Sequence, residues 1–171
     1  MRGTRIGTRR SRGLTFLEVL YVCMVVMVLT AIAVPAVRIA AKRFREVELR
    51  RNLASIRRAI DAYHRDAINN VLNMQFVEPD MHPIGKWYPP RLQTLVDGVP
   101  LAQAPDQIRK YLRRIPPDPF NFEGSDWDEG GWKLRAYQDD PDERGWSGRN
   151  VWDVHSASER TALDGSTYDQ W

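Results

Sequence analysis

The sequence predicts an α+β protein. A long N-terminal α-helix, membrane-spanning in its first half and amphipathic in its second, packs on a small C-terminal head of short helices and an antiparallel β-sheet. Three observations predict it. Residues 14–37 form a 24-residue apolar stretch whose single charge is Glu18. From Arg38 onward, apolar residues recur at helical spacing. All six tryptophans and ten of the 11 prolines lie beyond residue 69.

The chain has 171 residues, 43% hydrophobic and 27% charged, which is too apolar for a disordered protein. One cysteine excludes a disulfide scaffold. The formal charge is +3, but residues 1–13 hold five arginines and no acid. Without them the balance is −2, with +4 over residues 14–69 and −6 over residues 70–171. A nucleic-acid binder gathers its Lys and Arg on the folded surface, so no nucleic-acid partner is expected.

Residues 1–13 are polar and Arg-rich, with Gly3, Gly7 and Gly13. They have no apolar face to bury and read as a leader. Residues 14–37 come next. At helical rise the stretch spans ~36 Å, against ~30 Å for a bilayer's hydrocarbon core. It also exceeds the ~7–15 residues of a secretory apolar region. A twin-arginine signal built on Arg9-Arg10, with a small-x-small site at Ala31-Ile32-Ala33, fits less well. The helical pattern continues through that supposed cut. Pro35 removes a backbone hydrogen bond, so a kink or a melted turn is expected there.

The amphipathic half covers residues 38–69. Leu49, Leu53, Ile56, Ile60, Tyr63 and Ala67 form one apolar stripe. Arg50, Arg51, Arg57, Arg58, Asp61 and Arg65 fill the other faces, and Asn69-Asn70 ends the helix. The head is residues 70–171. Residues 71–90 read as a connecting loop, residues 92–96 as a helical turn and residues 105–114 as a short helix stopped by Pro116-Pro117. Residues 132–137 and 151–156 read as strands joined by a long hairpin connection. Trp132, Leu134 and Ala136 share one face of the first. In the second, Val151, Asp153 and His155 alternate with Trp152 and Val154.

No catalytic constellation emerges, and the chain is expected to be no enzyme. His64, His82 and His155 share no ligand spacing, and Cys23 lies inside the apolar span. Asp153, His155, Ser156 and Ser158 are close in sequence, but a triad is recognised by geometry. The six tryptophans suit the core of a small domain without disulfides.

The border between leader and apolar run is Arg12-Gly13-Leu14-Thr15-Phe16-Leu17-Glu18. Here the chain resembles the type IV pilin and pseudopilin family. The resemblance implies cleavage after Gly13, a new N-terminus at Leu14, Glu18 as fifth residue of the mature chain, and Pro35 where the family commonly has proline. A carboxylate near a bilayer interior costs a few kcal/mol and is usually partnered. No basic residue stands three or four positions after Glu18. Cleavage frees an α-amino group at Leu14, a counter-charge within the chain or from a neighbour. The resemblance implies the neighbour, inside a helical filament. Snorkelling of Glu18 to the headgroups is the plainer alternative.

Five arginines precede the span and five basic residues follow it within 13, so charge gives no orientation. The resemblance implies a single-pass protein of the bacterial inner membrane with its head in the periplasm. A second likeness extends it. Ile115-Pro116-Pro117-Asp118-Pro119-Phe120, Asn150-Val151-Trp152-Asp153-Val154-His155-Ser156 and the tail from Thr161 to Trp171 resemble the major pseudopilin of type II secretion. That likeness implies a pseudopilus subunit driving export of folded proteins. Its implied partners are further copies of itself, a prepilin peptidase that also methylates the new terminus, a cytoplasmic assembly ATPase, other pseudopilins and the inner-membrane secretion platform. A type IV pilus subunit for adhesion or motility and a membrane-anchored periplasmic enzyme or binding module are the alternatives. Many major pseudopilins hold calcium in the C-terminal loop. Asp164 and Asp169 are the implied ligands here, although the family's glycine-rich stretch is missing.

Overall fold

The computed structural model describes residues 15–77, 84–121, 130–140 and 145–171. They fall into two compact units divided between Ala41 and Lys42. One helix, α1 (Phe16–Ile68), runs through the division. Every described residue before Lys42 is exposed. The helix is unbroken at Pro35, so the melted turn expected there does not occur. A proline costs only one intrahelical bond, and the turns on either side retain theirs.

In the second unit α1 supplies the centre of the core. All six residues of the expected stripe, from Leu49 to Ala67, are buried, and Ala59 joins them. The helix stops where Asn69-Asn70 suggests. Asn70 takes φ 56°, Val71 N–H bonds Asp66 O at 2.9 Å and Asn70 N–H bonds Ala67 O at 3.2 Å. That is a left-handed helix ending, with Asn in the place usually given to Gly.

The described residues of the loop over 71–90 include single 3₁₀ turns at Met74–Phe76 and Gly85–Trp87. The helical turn beyond it is α2 (Leu92–Asp97), which buries Leu92 and Leu95. Gly98 then takes φ +85°, and a Cβ there would stand 2.6 Å from Arg109 O. That close approach admits strand β1 (Val99–Pro100), which pairs antiparallel with β2 (Ile108–Arg109).

Strand β2 lies where a helix over residues 105–114 is expected, and no helix forms there. The spacing of Ile108, Tyr111 and Leu112 suits a helix, but ten residues make a marginal one in isolation. Tertiary partners take the amides instead. Leu101 N–H bonds Gln107 O, and both Tyr111 and Leu112 N–H bond Leu95 O, each at 2.9 Å. Ile108 stays 58% exposed, so no apolar face anchors a helix.

The second sheet pairs β3 (Trp132–Arg135) with β4 (Asp153–Ser156) antiparallel, in the register Trp132↔Ser156 and Arg135↔Asp153. Among the described residues the head thus has two small antiparallel sheets, compatible with the expected α+β layout. Both strands are shorter than the sequence suggests because groups outside the ladder take the end amides, side chains at the first strand and a backbone carbonyl at the second. Ala136 N–H goes to Asp139 Oδ2 at 2.8 Å and Tyr137 N–H to Asn150 Oδ1 at 3.0 Å. Val151 N–H goes to Pro89 O at 2.7 Å, which shifts the alternation. Val151 and Val154 are buried, and Trp152 is 40% exposed. Trp132, Leu134 and Ala136 share the buried face as expected. Trp87, Trp146 and Trp171 pack partly buried against the same core. Trp127 and His82 lie outside the described residues.

Candidate functional site

Two features of α1 stand out, and the first is its uncovered apolar half. Phe16 is 84% exposed, Met27 69% and Ile32 68%. A soluble monomer rarely exposes a contiguous apolar patch above a few hundred Å². Among the described residues α1 is the one helix long and apolar enough to cross a membrane, by length and composition. Its inner hydroxyl is satisfied, since Thr30 Oγ1 donates to Val26 O at 2.7 Å. Cys23 is exposed on the same half.

Glu18 lies in the first turn of α1, where the helix dipole favours negative charge. Its N–H donates to Thr15 Oγ1 at 3.3 Å, so Thr15 caps the helix. Thr15-Phe16-Leu17-Glu18 is therefore half of a capping box, with Glu18 in the position that reaches back to the cap. The Thr-x-x-Glu spacing before an apolar run carries that signal in the sequence. Gly13 and Leu14 lie outside the described residues.

The second feature is the polar edge of the amphipathic half. Glu46 is a buried acid in the second unit, and its Oε1 accepts the Leu163 N–H and the Tyr168 O–H. Sequence reasoning missed it. The signal was its place three residues before Leu49, in phase with the apolar stripe. Arg57 is a second anchor. It meets Asp153 through Nε at 2.7 Å and Nη2 at 3.3 Å, and Nη2 also donates to Val154 O and Trp171 O.

The serine of the candidate triad is turned away from Asp153 and His155. Strand alternation turns Asp153 toward Arg57 and buries Ser156, whose Oγ donates to buried Asp118 Oδ2 at 2.6 Å. His155 is half-buried opposite Lys133. Burial, and then the Lys133 charge, push its pKa down. His64 stacks on Tyr88 at 4.0 Å.

Asp164 Oδ1 accepts the Ser166 N–H at 3.0 Å and O–H at 2.6 Å, and Oδ2 pairs with Arg50 at 3.3 Å. The Ser166 hydrogen bonds, with Arg50 behind them, hold its carboxyl below the usual range. Asp169 Oδ1 is buried without a hydrogen-bond partner. Among the described residues no three His, Cys, Asp or Glu side chains converge as metal ligands. Calcium takes six to eight oxygens, Asp164 is already engaged by three donors, and Asp164 and Asp169 do not converge with a third such side chain among the described residues, so these two carboxylates do not fit the ion.

No family model, curated protein or solved structure matches the chain.

Proposed function

We propose that this chain is the structural subunit of a pilin-like filament, of the pseudopilus kind that drives export of folded proteins in type II secretion. Residues 1–13 are its leader, cut after Gly13. Residues 14–37 are held in the inner membrane and later form the filament core, and the head stands in the periplasm. The observation that carries the reading is the uncovered apolar surface of α1, which has a single carboxylate, Glu18, at its start. A membrane covers such a surface before assembly, and neighbouring copies cover it afterwards. The leader, the Gly13 junction, Glu18 and Pro35 together support the same reading through the family resemblance.

One observation favours a plain membrane anchor carrying a binding module. Glu18 lies in the first turn of α1, where the helix dipole favours an acid, and that needs no second copy. Mass spectrometry of the mature N-terminus separates the two. A subunit of the proposed kind begins at Leu14, and an intact leader sinks the reading. Deletion then distinguishes secretion from adhesion or motility, because loss of exported folded proteins marks the pseudopilus and loss of surface fibres marks a pilus.

A further inference from the structure

Residues 161–171 are fastened to α1 by a row of side chains. Lys42 Nζ donates to Thr161 O at 2.7 Å. Glu46 Oε1 accepts from Leu163 N–H and Tyr168 O–H, both at 2.8 Å. Arg50 reaches Asp164 and lies 4.1 Å from the centre of the Trp171 ring. Lys42, Glu46 and Arg50 follow one another at four-residue steps, so they share one helix face. Further along, Arg57 donates to Trp171 O at 3.0 Å. The segment answers with its own closure. Ala162 N–H bonds Ser166 O at 2.7 Å, and Trp171 Nε1 donates to Ser166 Oγ at 2.7 Å.

We infer that residues 161–171 form a calcium-independent latch on α1, in which Arg50 and Lys42 supply the positive charge that a bound cation would supply elsewhere. The argument rests on lone pairs. An ionised carboxylate offers about four acceptor sites, and Asp164 spends three on Ser166 and Arg50. A calcium ion seated on Asp164 would find about one lone pair left and would compete with the Arg50 guanidinium already paired to Oδ2. Arg50 in turn is fixed from its other side by the indole face of Trp171, an arrangement that favours a cation. The latch is built within one chain and does not depend on assembly.

The test uses the full chain in detergent. Arg160 is exposed, and its carbonyl accepts the Tyr168 N–H at 3.2 Å. Trypsin therefore reaches the Arg160–Thr161 bond when the latch lifts, and release of the 161–171 peptide is read by mass spectrometry. For the native protein, release is slow and equal in excess chelator and in millimolar calcium. Arg50→Ala, at an exposed side chain, speeds it about tenfold in both, as expected for a lost charge-assisted contact. Unchanged cleavage at other sites shows that the opening is local. Faster release in chelator, reversed by calcium but not by magnesium, overturns the inference. So does an Arg50→Ala protein released at the native rate. Either failure leaves the filament reading standing, because the assay reads single chains.

Discussion

Tyr168 gives its hydroxyl hydrogen to Glu46 Oε1 at 2.8 Å, across 122 residues of chain. Tyr168 is fully buried, stacks on Phe120 at 4.0 Å and meets Trp171 edge-on at 5.2 Å. Burial first, and then the hydrogen bond to Glu46, raise the phenol's pKa, so it remains a donor across the physiological range. Tyr168→Phe keeps the ring and deletes the donor. It leaves Glu46 Oε1 with the Leu163 N–H alone, in a place shielded from water. We expect a loss of about 1–3 kcal/mol, read as a lower midpoint in chemical denaturation. A midpoint equal to the native one would show that Glu46 finds another donor.

Tyr63 makes the opposite case with the same chemistry. Its ring is fully buried against Tyr111, with centroids 5.6 Å apart, but its hydroxyl is buried without a partner. Removing an unpaired buried hydroxyl removes a desolvation cost rather than a bond. Tyr63→Phe should leave the denaturation midpoint unchanged or raise it. A clear drop would reveal a partner for the hydroxyl.

The contrast between the two tyrosines shows what periodicity can and cannot supply. The stripe from Leu49 to Ala67 was legible because burial on one helix face has a fixed period. The same period includes Tyr63 and says nothing about its hydroxyl. Glu46 was also in phase, but a charge among Arg43, Arg45 and Glu48 reads as solvated surface until the donors that bury it are known. Those donors stand more than 110 residues away. The β3–β4 pairing was legible by alternation. Its ends were not, since Asp139 and Asn150 take amides that a ladder would otherwise use. Residues 105–114 failed in the same way. A short helical spacing lost to the Leu95 carbonyl and the Leu101 N–H, which become available only in the folded chain.

Titration should divide the acid response into two windows. Burial and the Lys133 charge hold His155 below its ordinary 6.5, with Arg135 adding to the effect and Asp153 and Asp169 opposing it. The unfolded chain therefore takes up that proton first, and stability falls as pH drops through and below 6.5. Asp164 and Asp139 are both lowered from 3.8, Asp164 chiefly by its Ser166 hydrogen bonds. At Asp139 burial pushes upward, but hydrogen bonds from Ala136 and Ser147 outweigh it. Their stabilisation is present above 3.8 and is lost as pH falls beneath it. Melting temperatures across this range should show both declines, and His155→Gln should flatten the upper one alone. An unaltered upper slope in that variant would assign the first decline to another group.

Glu18 admits a substitution that separates its two readings. As the third residue of a capped helix it needs an acceptor near the Thr15 amide, and Gln serves a capping box nearly as well as Glu. As the counter-charge of a freed Leu14 amine it needs a full negative charge. Glu18→Gln should therefore leave the helix intact and the leader processed while assembly fails, and Glu18→Ala should lose the charge and the side-chain acceptor while its backbone N–H still meets Thr15 Oγ1. Thr15→Ala supplies the control. It removes the cap at a cost of about 0.5–2 kcal/mol of helix stability and leaves the charge in place, so assembly should survive it. Filament formation is read by cross-linking copies of the chain in membranes. Equal cross-linking in the native and Glu18→Gln proteins would show that assembly does not need the Glu18 charge, and would overturn its role as counter-charge to the Leu14 amine.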